Sequence, residues 1–379
     1  MNGADKLLAS EFPIEHGLIY LNHAAIAPWP QRTADAVNRF AHECLTAGSR
    51  HYTSWLDTET ELRQRVADLI NAPSADNIAF LKNTSEGLSV VAHGFPWKPG
   101  DNVVISDEEF PSNRMVWQSL ERYNVEVRQV SLGSDKSPED ALLNAVDTRT
   151  RILSISAVQY ASGLRMDLHR LGEECRKRGI ALCVDAIQAV GAIRQDIQEA
   201  HIDFLIADAH KWMLAPEGIA VFYCSDAWRE QLVLHQYGWH MIEDQFNFEP
   251  HVWAPAKSAR RFECGSNNMM GIHALNASLS LFQEIGMDEV EKKVLANANH
   301  IIDLVQQRQE LELITDSSPG RVAGIVTFRH RQKPADVVFD NLQKKGVMCA
   351  LRGGGIRFSP HCYNARHMLE TAIDIAATS

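Results

Sequence analysis

A carboxylate and an amine stand just beyond two apolar runs of this chain. Asp185 closes residues 180–185 (IALCVD), and Lys211 lies three residues after the run DFLIAD, within Ala209-His210-Lys211-Trp212. Short apolar runs of this kind read as buried strands. Ligands of α/β sheets collect at the carboxyl ends of strands, so an amine able to act as nucleophile or acid/base and a carboxylate can face one pocket. Each also has a plainer explanation, because strand-end aspartates cap helices and single lysines are commonly solvated. Arg352 and Arg357 flank a tight glycine turn in LRGGGIRFSP. Buried, such a pair needs an anionic partner; exposed, it needs none. Asn83-Thr84-Ser85-Glu86-Gly87-Leu88 lies between a predicted strand and a predicted helix. Thr84 or Ser85 is a good N-cap there, and the helix N-terminus also suits a phosphate dianion.

Placing these groups together requires a sheet whose strand ends converge. From about residue 78, residues 77–82, 102–107, 125–130, 151–158, 180–185, 204–207 and 218–224 read as strands, with helices over 85–93, 112–123, 138–145 and 168–178. This alternation predicts an α/β unit with a largely parallel sheet covered on both faces. After about Pro255 the pattern changes to long helices over 271–285 and 287–308, and strands at 311–314 and 322–328. A helix over 335–345, strands at 347–350 and 355–358 and a terminal helix from Ala365 follow. We expect a large α/β domain over 20–258 and a small α+β domain made of 1–19 and 259–379.

The 379 residues leave room for two domains. A net charge of −11, from 48 acidic against 37 basic residues, argues against a general nucleic-acid-binding surface. No apolar run approaches the roughly 20 residues that span a bilayer, and the start MNGADKLLASEFP lacks a basic region followed by an apolar one. No membrane partner and a cytoplasmic location are expected. Seven cysteines without a CxxC pair and sixteen histidines without HExxH spacing argue against a disulfide framework and a metal site. No GxGxxG follows the first strand of the alternating region, which argues against a dinucleotide.

Three segments in order, VQYASG (158–163), VDAIQAVG and DFLIADAHKWMLAPEGIAVFY, resemble the class V aminotransferase family of pyridoxal-phosphate enzymes. This is the fold-type-I group that contains cysteine desulfurases, kynureninases and isopenicillin N epimerase. The resemblance runs from YLNHAA (20–25) to Arg357-Phe358-Ser359, essentially the whole chain. It implies a fold-type-I transferase, whose large domain holds a mainly parallel mixed sheet. It implies that Lys211 carries the cofactor as an aldimine and serves as acid/base, and that Asp185 keeps the pyridine nitrogen protonated. Gln188 matches the donor to the phenolic oxygen, and Thr84, Ser85 and His210 match phosphate contacts. Phe110 occupies the place of a ring-stacking residue that is commonly histidine in desulfurases. Ser266, in RFECGSN, matches a hydroxyl that reaches the neighbouring subunit's phosphate, which implies a homodimer with shared sites. Arg357 matches the arginine that grips the substrate α-carboxylate, with Arg352 nearby to assist. Asn22 and His23, together with the partner subunit, are expected around the substrate side chain.

Two departures bear on the reaction. Asp208 stands where desulfurases often have serine near the phosphate, which is unfavourable unless it turns away or pairs with His210. Between Arg352 and Arg357 there is only GGG at 353–355 and Ile356, leaving no cysteine-bearing loop; Cys349 and Cys362 flank the region and read as packing thiols. The resemblance therefore implies an enzyme that uses pyridoxal phosphate on an amino-acid substrate through a Cα carbanion. Its chemistry is expected to be of class V aminotransferase type, with epimerase or C-S lyase activity close by. A cysteine desulfurase or selenocysteine lyase is the alternative within catalysis. A pyridoxal-phosphate-binding protein without turnover is the alternative of another class.

Overall fold

The computed structural model describes residues 3–133, 137–247, 249 and 254–379. A short strand, β1 (Ile19–Tyr20), precedes the seven strands of the central sheet. These are β2 (Ile78–Leu81), β3 (Asn102–Ser106), β4 (Glu126–Val130), β5 (Thr150–Ser156), β6 (Ala181–Asp185), β7 (Phe204–Asp208) and β8 (Ala220–Cys224). Their order across the sheet is β2-β8-β7-β6-β5-β3-β4. Only β8 runs against its neighbours, pairing antiparallel with both β2 and β7. Side chains of β6 alternate between two cores, Leu182 and Val184 on one face and Ala181 and Cys183 on the other. Period-2 alternation with both faces apolar is what a sheet covered on two sides demands, and it explains why these strands read as continuous apolar runs. The edge strand β4 is the exception, with exposed Glu126 and Gln129.

All seven expected strands form, within a few residues at their ends. The expected helix over 112–123 is α-helical over Ser112–Gln118 and tightens to a 3-10 turn over Ser119–Tyr123, closed by Asn124 in the left-handed conformation. Two long helices that the motif reading did not include, Gln31–Ala47 and Tyr52–Leu69, lie against the helix Met269–Ile285. Leu62 and Val66, one turn apart, are fully buried there with Leu275 and Leu279 in the core on one face of the central sheet.

The remaining strands are β9 (Leu311–Leu313), β10 (Val326–His330), β11 (Val347–Met348), β12 (Ala350–Arg352) and β13 (Gly355–Phe358). Four of them form an antiparallel sheet in the order β12-β13-β10-β9. Its own core holds Val326, Phe328, Ile356 and Phe358 with Leu369 and Ile373 of the last helix, Arg366–Ala377. The expected strand over 347–350 is two strands, because β11 pairs with β1 while β12 turns to pair with β13. The expected strand over 322–328 begins later, at Val326. The helix Met287–Gln306 joins the cores: Val290 and Val294 pack with the central sheet, whereas Ala298, Ile301 and Ile302 pack with the small one. Among the described residues no helix is long and apolar enough to cross a membrane.

Candidate active site

The carboxyl ends of β6 and β7 open into a cavity of about 270 Å³. Asp185 is the last residue of β6 and Asp208 the last of β7, and both line it with Lys211. Of the expected site residues, Thr84, Ser85, Phe110, Asp185, Gln188, His210, Lys211, Arg352 and Arg357 share this cavity. They come from segments spread over some 270 positions of the chain, which only the sheet topology brings together.

Lys211 is held by what surrounds the next residue. Trp212 is fully buried and donates its indole N–H to Gln188 Oε1 at 2.8 Å. Since an indole can only donate, this bond fixes the Gln188 amide with oxygen toward Trp212. The amide nitrogen donates one hydrogen to the Ala24 carbonyl at 3.0 Å and keeps the other. Gly191, at φ 92°, lets the backbone of Trp212 approach so closely that a Cβ there would stand 2.3 Å from its carbonyl oxygen.

Burial sets the electrostatics. It raises the Asp185 carboxyl well above the usual carboxylate range, against the opposing bond from the Ile187 amide at 3.1 Å. It lowers the Lys211 amine to about 8, with Asp185 opposing and Arg357 adding to the shift. Both shifts disfavour charge in a site screened from water. The amine lies 5.7 Å from the centroid of the Phe110 ring. That ring is 42% exposed and meets Tyr160 edge-on at 5.2 Å.

One wall is the start of the helix Thr84–Gly94. Its N-cap is Asn83 rather than Thr84 or Ser85: the Asn83 side chain accepts from the Glu86 N–H at 2.9 Å. With capping done by Asn83, the Ser85 hydroxyl is left to bond Ser112 at 2.8 Å, and Thr84 Oγ1 accepts from the Asp208 N–H at 3.2 Å. The first backbone N–H groups of the helix have no partner within it and carry its partial positive charge. Asp208 does meet His210, with Oδ1 2.9 Å from Nδ1, near enough for an ion pair but not aligned as a hydrogen bond.

Arg357, on β13, is buried, and burial together with Arg352 lowers it to about 10. Its Nη1 donates to the Tyr160 carbonyl at 2.7 Å, whereas Nε is buried without a partner. Arg352 lies at the tip of the β12–β13 hairpin. Gly353 (φ 60°) and Gly354 (φ 75°) form its two-residue turn, which demands left-handed backbone at both positions. Arg357 Nε, a buried polar atom without a partner, is what a polar ligand would satisfy.

Three expected residues lie outside the cavity. His23 is fully buried, with Nδ1 2.8 Å from the Ser359 carbonyl and Nε2 2.8 Å from the Tyr363 hydroxyl. Asn22 forms a bridge to Ser359. Ser266 lines a separate depression with Lys82, Glu86 and Asn267. No cysteine lines the active-site cavity; Cys349 and Cys362 are buried elsewhere, and burial raises both thiols to about 12.

One residue that sequence reasoning left without a role is Glu109. It is buried and accepts from Ser106 Oγ, Asn113 Nδ2, Gln159 Nε2 and both the amide and hydroxyl of Ser156, at 2.5–3.0 Å. This carboxylate ties the segment bearing Phe110 to the one bearing Tyr160. An acidic pair, Glu108-Glu109, was its only signal, and that signal does not say which member turns inward.

A family model for class V aminotransferases matches residues 19–371. Among curated proteins, an uncharacterized protein of Schizosaccharomyces pombe is 30% identical, over 96% of this chain and 85% of its own. A probable cysteine desulfurase of Methanothermobacter thermautotrophicus is 28% identical, over 95% of this chain and 94% of its own. Among solved structures, the cystine C-S lyase C-DES with its product cysteine persulfide superposes with a TM-score of 0.87 at 20% identity, covering 96% of this chain and 98% of that one. The cysteine desulfurase CsdA of Escherichia coli gives 0.86 at 20% identity, covering 99% and 98%. These structural likenesses show the fold, a mainly parallel mixed sheet of fold type I. The chain belongs to the class V aminotransferase family of pyridoxal-phosphate-dependent enzymes.

Proposed function

We propose that the protein removes the Cα proton of an α-amino acid and releases a substituent from Cβ, a lyase-type reaction. The observation that carries this reading is a buried lysine, a buried carboxylate and a buried arginine around one cavity in which no cysteine stands. The residues fit pyridoxal phosphate, since the cavity offers an amine, an acid, unpaired helix N–H groups and an aromatic face. Lys211 would hold the aldehyde carbon, Asp185 the ring nitrogen, Gln188 the phenolic oxygen, and Thr84, Ser85 and His210 the phosphate. When bound, the cofactor draws electrons away from Cα.

The chain's own groups do the rest. Arg357, its plane set by the Tyr160 carbonyl, offers the edge that includes Nε to the α-carboxylate. Lys211, once its amine is free, takes the Cα proton, and burial, by lowering that amine to about 8, leaves a far larger neutral fraction near physiological pH than a solvated lysine has. Asp185 supplies the negative charge that keeps a proton on the ring nitrogen. Asp208 holds His210 from behind. We further propose that residues 20–258 supply the cofactor side, while 1–19 and 259–379 supply Arg357. A homodimer would bring Ser266 to the partner's site, and a cytoplasmic location agrees with the composition.

The relatives named cysteine desulfurases favour a second reading, sulfur transfer to a protein thiol. The products separate the two. Elimination from cysteine or cystine releases pyruvate and ammonia, whereas persulfide transfer from cysteine leaves alanine. Pyruvate as the main product, unchanged in Cys349→Ala and Cys362→Ala, is expected. Alanine as the main product, lost in either variant, would overturn the elimination reading.

A further inference from the structure

Resting on the amino-acid reading above, we propose that Arg352 selects substrates whose side chain carries a second anionic group. Two arginines line the cavity, and among the described residues neither is joined to a carboxylate. Arg357 is buried at the inner wall, whereas its neighbour Arg352 is exposed at the hairpin tip, so the two can meet different parts of one ligand. Burial and this neighbour together lower Arg357.

One α-carboxylate uses only one of them. Arg357 has Nη1 committed to the Tyr160 carbonyl and Nε buried without a partner, so the edge that includes Nε suits one carboxylate in a forked arrangement. The other anions of the site have cations or N–H donors of their own: Asp185 faces Lys211 and the Ile187 amide, and Asp208 faces His210. Arg352 is left over. It spends one N–H on the Leu351 carbonyl at 2.8 Å, which leaves most of its donors free.

Its place is also built. The hairpin tip rests on the loop that carries Tyr160: a Cβ on Gly353 would lie 3.2 Å from the Ala161 carbonyl. Arg352 and Arg357 are thus held against the same loop, one at the mouth of the cavity and one inside it. A ligand spanning them carries its α-carboxylate inward and a second anion, such as a carboxylate or sulfinate, outward.

The test uses the holoenzyme and two analogues that lack a Cα proton and so bind without being deprotonated: 2-methylaspartate, with an anionic side chain, and 2-aminoisobutyrate, with a methyl group. Titrated by the change in cofactor absorbance, 2-methylaspartate should bind about tenfold tighter, as a charge-assisted hydrogen bond allows. In Arg352→Gln the ratio of the two affinities should fall toward one, and Arg352→Lys should restore part of it. Equal affinities in the wild type, or a ratio that survives Arg352→Gln, would overturn the assignment; a ratio that survives while both affinities weaken would mean that Arg352 assists at the α-carboxylate. If neither analogue changes the spectrum, the amino-acid reading itself fails.

Discussion

Lys211 illustrates how burial turns an ordinary side chain into a reagent. Lowered to about 8, its amine is largely neutral at a pH where a solvated lysine is almost wholly protonated. Only the neutral amine attacks an aldehyde. Uptake of pyridoxal phosphate by the apoprotein, followed by absorbance, should therefore accelerate from pH 7 to 9 and level off above a midpoint near 8. A midpoint near 10.5 would mean that the amine is solvated. Asp185→Asn keeps the shape but cannot supply the charge that holds a proton on the ring nitrogen. Cofactor should still be retained, with Cα–H exchange into deuterium oxide slowed about 100-fold; an unchanged rate would remove Asp185 from the chemistry. At this scale the motif order pointed to nine side chains that share the cavity, because each is a chemically distinctive residue at the end of a strand or turn. Tyr160 had no legible role, since it acts on Arg357 through a backbone carbonyl that any residue supplies. His23, in YLNHAA, reads as a residue beside the substrate side chain, yet burial and two hydrogen bonds make it a strut.

Elements position these groups through close approach and capping. Gly191 sits where a Cβ would meet the Trp212 carbonyl at 2.3 Å, at a φ of 92° that L-residues avoid. Gly191→Ala must push the Lys211–Trp212 segment away from Gln188. Cofactor retention on gel filtration should fall at least tenfold, with a loss of about 2 kcal/mol or more in stability; wild-type retention would show that the segment tolerates the shift. Asn83→Ala removes the cap of the helix that faces the cavity and should cost about 1 kcal/mol, measured by thermal melting of the apoprotein. The strands of the central sheet were legible because burial on both faces writes each as an apolar run. The helices Gln31–Ala47 and Tyr52–Leu69 carry only a narrow buried stripe, such as Leu62 and Val66, and contain none of the motifs that drew attention elsewhere. The split of residues 347–350 into β11 and β12 depends on β1, some 330 residues away, and no local pattern carries it.

At the scale of the whole molecule, His361 is where the chain's ends meet its centre. Its Nε2 faces the Trp212 carbonyl at 3.2 Å, so Nε2 carries the hydrogen; Nδ1 then accepts from the Cys362 N–H at 2.8 Å. His23, 5.3 Å away, is bonded in the same neutral pattern to Ser359 and Tyr363. Together they tie the segment after β1 and the segment after β13 to the residue next to the active-site lysine. A proton on Nδ1 of His361 would point at another N–H. Burial accordingly lowers His361 to about 4 and His23 well below its ordinary value. An unfolded histidine takes a proton near 6.5 and the folded one does not, so folding stability is full above that pH. It is lost as the pH falls toward 4, by about 3 kcal/mol for His361 alone. Asp185 works in the opposite sense in the apoprotein. Its carboxyl is raised by burial, so folding regains stability as the solution is acidified below that raised value. The absolute melting curve therefore mixes opposing effects, and the informative quantity is the difference between wild type and His361→Gln, whose amide can reproduce both hydrogen bonds without titrating. Melting temperatures measured from pH 7.5 to 4.5 should fall more steeply for the wild type than for the variant, so that the difference between them shifts in the variant's favour toward acid. Parallel curves would show that His361 accepts a proton in the folded protein and that the joint between the chain's ends and Trp212 is open to water.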